Sequence, residues 1–122
     1  MRSFLRISIF ITLAFLVFRC ENQNKEDLFG KQECDSLDVS YSKTIEPILM
    51  NNCYECHASS IATAGIILDS YDELILRVNS GRFPGAVNHR DGFTPMPKDR
   101  DQLPDCDLAK INNWLNEGAK NN

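Results

Sequence analysis

The chain has 122 residues, 43% of them hydrophobic and 25% charged, and its formal net charge is −4. These figures describe one small domain. They exclude an intrinsically disordered chain and leave no room for a barrel or a doubly wound sheet with appendages. Lysine and arginine form no basic block, which argues against a nucleic-acid partner.

Met1 to Arg6 carries Arg2 and Arg6, and Ile7 to Phe18 (ISIFITLAFLVF) is almost wholly apolar. A basic start followed by a short apolar run reads as a secretory signal over residues 1–19. The run is shorter than the roughly 20 residues a spanning helix needs. Cys20 follows at once, where a bacterial lipoprotein is acylated on its thiol. Arg19 departs from the small residue such a site takes, and no small-x-small cleavage pattern is visible. A lipid anchor at Cys20, an uncleaved signal anchor and cleavage at an unplaced position therefore all stay open. All imply an exported, periplasmic protein, and the first two hold it at a membrane. Loss of Arg2, Arg6 and Arg19 with the signal leaves 10 basic against 17 acidic residues. Such acidity favours a basic partner face, although most of it solvates the surface.

Glu21 to Gln32 (ENQNKEDLFGKQ) is polar, so residues 20–36 read as a tether and 37–120 as the folded domain. Three helices are predicted. The first covers Ser42 to Asn52, with Ile45, Ile48 and Leu49 on one face and Pro47 demanding a start near Thr44. The second covers Ser70 to Ser80. Ser70 with Glu73 has the pattern of a capping box, Leu74 and Val78 share a face, and Gly81 supplies the stop. The third covers Asp105 to Gly118, with Asp105 as N-cap and Leu108, Ile111 and Leu115 in a helical stripe beside Trp114. Arg82 to Leu103, rich in proline and glycine, reads as a long irregular loop, and so long a loop is expected to be functional or packed on something. Three short helices make a thin core, of the kind that needs a staple or a cofactor.

Cys53-Tyr54-Glu55-Cys56-His57 is a CxxCH motif, which in an exported chain reads as a covalent attachment site for haem c. Two thiols at this spacing reach the two vinyl groups of the porphyrin, and the next residue, His57, supplies an axial nitrogen. Three readings compete. A zinc site needs a second ligand pair, and Cys34, Cys106 and His89 are scattered singly. A thioredoxin-like pair needs a βαβ setting. A plain Cys53–Cys56 disulfide leaves His57 without a reason. The candidate second axial ligand is Met96, stiffened between Pro95 and Pro97. His89 is the rival, and an open position is the third possibility. Met50 lies too close to Cys53 on the same helix to reach the far face.

The ordered elements YSKTIEPILMNNCYECH, GIILDSYDEL, PMPK and CDLAKINNWLNEGA resemble the small exported cytochrome c-like domains of Bacteroidetes and planctomycete type, within the class I c-type cytochromes. The resemblance spans Tyr41 to Ala119. It implies an all-α, class I cytochrome c-like fold with three main helices and long irregular loops around one covalent haem. Cys53 and Cys56 would be the thioether sites, His57 the proximal ligand and Met96 the distal ligand. First and last helices would cross, placing Trp114 at the crossing or against the haem edge. That crossing would bring Cys34 and Cys106 close enough for a disulfide. Phe83, Phe93, Ile66 and Leu68 are expected to line the haem pocket. The implied function is electron transfer to redox partner proteins rather than catalysis. The alternatives are a small-ligand sensor or peroxidase-like domain with a labile Met96, and a membrane-tethered interaction module whose haem is structural.

Overall fold

The computed structural model describes Cys34–Asn122. The predicted signal segment, the lipidation candidate Cys20 and the tether up to residue 33 lie outside the described residues.

The described chain enters helix through a π-helical turn, Tyr41–Ile45, followed by α1 (Glu46–Asn52). Ser40 opens the turn: its backbone is extended and its hydroxyl accepts a hydrogen bond from the Lys43 N–H. The wide turn closes on Glu46, whose N–H reaches back five residues to the Tyr41 carbonyl. Pro47 accounts for the switch in pitch, because a residue without an N–H cannot continue the regular ladder and is tolerated only where a helix begins. The start expected near Thr44 thus falls inside the wide turn. Ile45, Ile48 and Leu49 point inward from this stretch and are buried.

After a one-residue break at Cys53 comes the single turn α2 (Tyr54–His57), then a 3-10 turn, Thr63–Gly65. α3 (Tyr71–Asn79), α4 (Arg82–Val87) and α5 (Asp105–Asn116) complete the order. Among the described residues there is no strand, and the fold is all-helical. None of these helices is long and apolar enough to cross a membrane.

Three local expectations need correction. α4 lies inside the stretch read as an irregular loop. Its Pro84 is the third helical residue, where an N–H would have no partner within the helix, so proline does no harm. Gly81, with φ +74°, turns the chain from α3 into α4. Ser70 does stand at the N-cap of α3 with an extended backbone, but its side chain makes no capping bond. Pro104 holds the N-cap position of α5, and Asp105 is its first helical residue. Asp105 and Asp107 still complement the positive end of that helix.

The core forms where α5 meets the π turn. Trp114 and Ile111 of α5 are essentially inaccessible to solvent. The Trp114 indole stacks on Tyr41, with ring centroids 5.9 Å apart and planes at 29°, and Tyr71 meets the same Tyr41 edge-on at 5.1 Å. Aromatic pairs of this kind add about 0.5–1.5 kcal/mol each beyond the area they bury. Trp114 therefore sits at the helix crossing. Its Nε1–H donates to the Lys120 carbonyl at 2.9 Å, and the Tyr71 hydroxyl donates to the Ala119 carbonyl at 2.8 Å. Farther along, the Asn122 main-chain oxygen accepts the Ser42 N–H at 3.0 Å, and its side-chain oxygen accepts the Tyr41 N–H at 2.9 Å. Cys34 and Cys106 are disulfide-bonded, with Cα atoms 5.4 Å apart. The bond ties the segment ahead of the π turn to the first turn of α5. The Asn113 amide donates to the Ser36 carbonyl on the same side. Residues 34–36, expected to belong to the tether, are thus fastened to α5.

Candidate cofactor site

A cavity of about 870 Å³ opens beside the end of α1 and reaches across to α4 and the loop that follows it. That volume falls within the range of pockets that enclose a ligand of cofactor bulk.

Its near wall is made by the break between α1 and α2. The Asn52 side chain bonds back to the Ile48 carbonyl at 2.8 Å, competing with the helix ladder as asparagine does near helix ends. Cys53 then departs from helical backbone (φ −126°), and α2 restarts with the His57 N–H on the Cys53 carbonyl at 2.9 Å. The outcome is that Cys53, Cys56 and His57 all face the cavity. His57 is buried, and its Nδ1 lies 3.3 Å from the Ile66 carbonyl. A carbonyl only accepts, so Nδ1 carries the proton in this contact. The Nε2 lone pair is then left for a metal, the arrangement that orients histidine ligands. The His57 carbonyl is held as well, accepting the Leu68 N–H at 2.8 Å. Ile66 and Leu68, which provide these two anchors, also line the cavity.

The two motif thiols are free, Cys53 half-buried and Cys56 exposed. Burial pushes the Cys53 thiol up to about 11, against the opposing pull of the Arg100 guanidinium. Among the described residues, no three of His, Cys, Asp or Glu stand together as a metal-binding group.

The far wall comes from α4 and its loop. Phe83, Ala86 and Val87 face the cavity from α4, and Phe93 and Met96 from the loop. The Met96 N–H donates to the Ala86 carbonyl at 3.1 Å. His89, the rival ligand, is not among the residues lining the cavity; its Nε2 lies 3.0 Å from the Met96 carbonyl. Met50 is exposed and away from the cavity. One cavity thus brings together Cys53, Cys56, His57 and Met96 with Ile66, Leu68, Phe83 and Phe93.

Sequence reasoning missed the charge around this space. Arg77, Arg82, Lys98 and Arg100 line it, with Glu55 as the acidic counterpart, in a chain whose formal net charge is −4. Arg77 donates through one terminal nitrogen to the Gly65 carbonyl at 3.2 Å, while its Nε is buried without a partner. Arg100 donates to the Asn52 carbonyl at 3.0 Å, at the end of α1 where a cation complements the helix dipole. The four basic side chains that line the cavity fit an occupant that carries carboxylates. Two thiols, one imidazole nitrogen and one thioether sulfur make up the donor set at this cavity. Comparison with protein-family models, with curated proteins and with solved structures finds no match.

Proposed function

We propose that this protein is an exported monohaem c-type cytochrome that transfers electrons, with a class I cytochrome c-like arrangement of its helices. The observation carrying this reading is the single cavity that presents both motif thiols, the His57 imidazole and the Met96 thioether. A haem c in that space would supply one-electron exchange at its iron.

The chain's own residues have definable tasks. Cys53 and Cys56 would fix the porphyrin by thioether bonds. His57, with its proton held at Nδ1 by the Ile66 carbonyl, offers Nε2 to the iron. Met96 would offer a thioether to the same iron, a soft ligand that would favour the ferrous state and raise the potential relative to a second histidine. Phe83, Phe93, Ile66 and Leu68 keep water from the ring, which also sets the potential. Arg77, Arg82, Lys98 and Arg100 would supply cations to its carboxylate substituents. With His57 and Met96 both holding the iron, a bound haem would exchange electrons rather than bind a substrate, so the reading is an electron carrier rather than an enzyme. Its partners would be other redox proteins, not nucleic acid. Residues 1–20 would export it and hold it at the periplasmic face of a membrane, through lipid on Cys20 or through the signal itself.

The sensor or peroxidase-like reading draws on one observation: Met96 follows a run of exposed residues, Arg90 to Pro95, as a labile ligand would. Optical spectra of protein matured in a host that attaches haem c, taken before and after acid–acetone extraction, test the choice. Retained haem with the weak red charge-transfer band of a Met–Fe(III) bond is expected, together with slow carbon monoxide binding that becomes fast in Met96→Ala. Rapid carbon monoxide binding by the wild type would move the function to the sensor class. Haem lost on extraction would reject the covalent cytochrome.

A further inference from the structure

We infer that His89 is the positioning residue for Met96: its imidazole holds the Met96 carbonyl and so fixes where the thioether meets the cavity. The inference rests on the reading of Met96 as an axial ligand.

Met96 belongs to a segment with few means of staying in place. Pro95 and Pro97 carry no N–H, so the Met96 amide is the one main-chain donor in the tripeptide. That donor is bound to the Ala86 carbonyl in the last turn of α4. The matching acceptor, the Met96 carbonyl, faces His89 Nε2 at 3.0 Å. Both main-chain groups of Met96 are thus fastened, one to Ala86 in α4 and one to His89 just beyond the helix end. Residues 90–95 between the two anchor points are exposed, so burial does little to restrain the loop. Phe93, only partly covered, leans on Gly85.

The location of His89 agrees with this task. Asn88 ends α4, and its amide donates to the Pro84 carbonyl at 2.9 Å and to Asn112 of α5 at 2.8 Å, which fixes the helix end. His89 follows in the left-handed region with φ +50°, a conformation histidine accepts more readily than most residues with a side chain. Its N–H turns back onto the Ala86 carbonyl at 3.2 Å, the same acceptor that holds Met96. A carbonyl accepts and never donates, so His89 Nε2 carries its proton in this bond. The ring is committed to the backbone of the loop and is not a ligand in waiting.

The test uses the haem-loaded protein and three chains: wild type, His89→Leu and His89→Gln. The leucine removes the donor and keeps bulk; the glutamine amide puts an N–H near the Nε2 position. In His89→Leu, retained covalent haem is expected with a weakened Met–Fe(III) band and carbon monoxide binding about tenfold faster, the change that loss of one hydrogen bond gives. His89→Gln is expected to restore both toward wild type, which general damage to the fold would not do. A His89→Leu protein with the wild-type band and rate would overturn the inference. Nitrogen NMR of wild-type His89 tests the bond without any variant: a protonated Nε2 is expected, and an Nε2 lone pair facing the carbonyl rejects the bond. Failure of the functional reading looks different, because the wild type itself would then lose its haem on extraction or lack the Met–Fe(III) band.

Discussion

Asp69 accepts two hydrogen bonds from Ser59, one from the N–H at 2.8 Å and one from the hydroxyl at 3.0 Å. They pull the turn behind His57 toward the start of α3, on the same stretch that fixes the imidazole through Ile66 and Leu68. The Ser59 N–H, first among the causes, lowers the Asp69 carboxyl below its usual range. A carboxyl depressed on folding stabilises the native state at pH values above its unfolded pKa, and that contribution is lost as the pH falls through its folded pKa. Asp69→Asn should therefore weaken the protein at neutral pH and flatten the acid side of its stability profile. Urea denaturation at a series of pH values checks this, and parallel profiles for the two proteins would show that Asp69 is not the source. Asp69 is only half-buried, so screening by solvent keeps the effect small.

At the scale of elements, the contact that shapes the far wall is a glycine. Gly85 is buried in α4, and a Cβ placed there would come within 2.5 Å of the Phe93 ring. Gly85→Ala should force that ring off the helix and disturb the loop leading to Met96, at about 1–3 kcal/mol, the usual cost of overpacking. Chemical denaturation of Gly85→Ala, of Phe93→Ala and of the double variant measures it. A double variant less destabilised than the sum of its parents is expected, because shortening Phe93 makes room for the methyl. The same glycine explains why α4 was not legible in the sequence. Pro84-Gly85 reads as a helix breaker, and only the distant ring of Phe93 gives that glycine its purpose. Helices with an apolar stripe behaved differently: Ile45, Ile48 and Leu49, and Ile111 with Trp114, are buried where their spacing put them. The candidate site divides in the same way. Cys53, Cys56, His57 and Met96 could be singled out because motif spacing and proline flanks mark them. Arg77, Arg100 and His89 bond to main-chain carbonyls of Gly65, Asn52 and Met96, and such acceptors leave no trace in residue identity.

Across the whole molecule, the disulfide is the longest-range covalent constraint in the described chain. It spans a separation of 72 residues. Closing so long a loop restricts the unfolded chain by on the order of 4 kcal/mol in the chain-entropy account, an upper figure because denatured chains retain some structure. Replacing both Cys34 and Cys106 with alanine should lower the unfolding free energy by up to that amount while far-ultraviolet circular dichroism stays helical. An unchanged denaturation midpoint would show that the aromatic crossing of Tyr41, Tyr71 and Trp114 suffices. The placement of the four described cysteines also bears on how the protein is assembled. One pair is joined across the ends of the fold, while Cys53 and Cys56 stand as thiols within a single helical turn, with Cys56 at the surface. An oxidising compartment that forms the first bond also threatens to form the second, or to shuffle the two pairs. On the proposed reading, maturation has to hold two opposite redox states in one small chain: Cys53 and Cys56 must stay reduced until haem is attached, while the Cys34–Cys106 bond must stay closed.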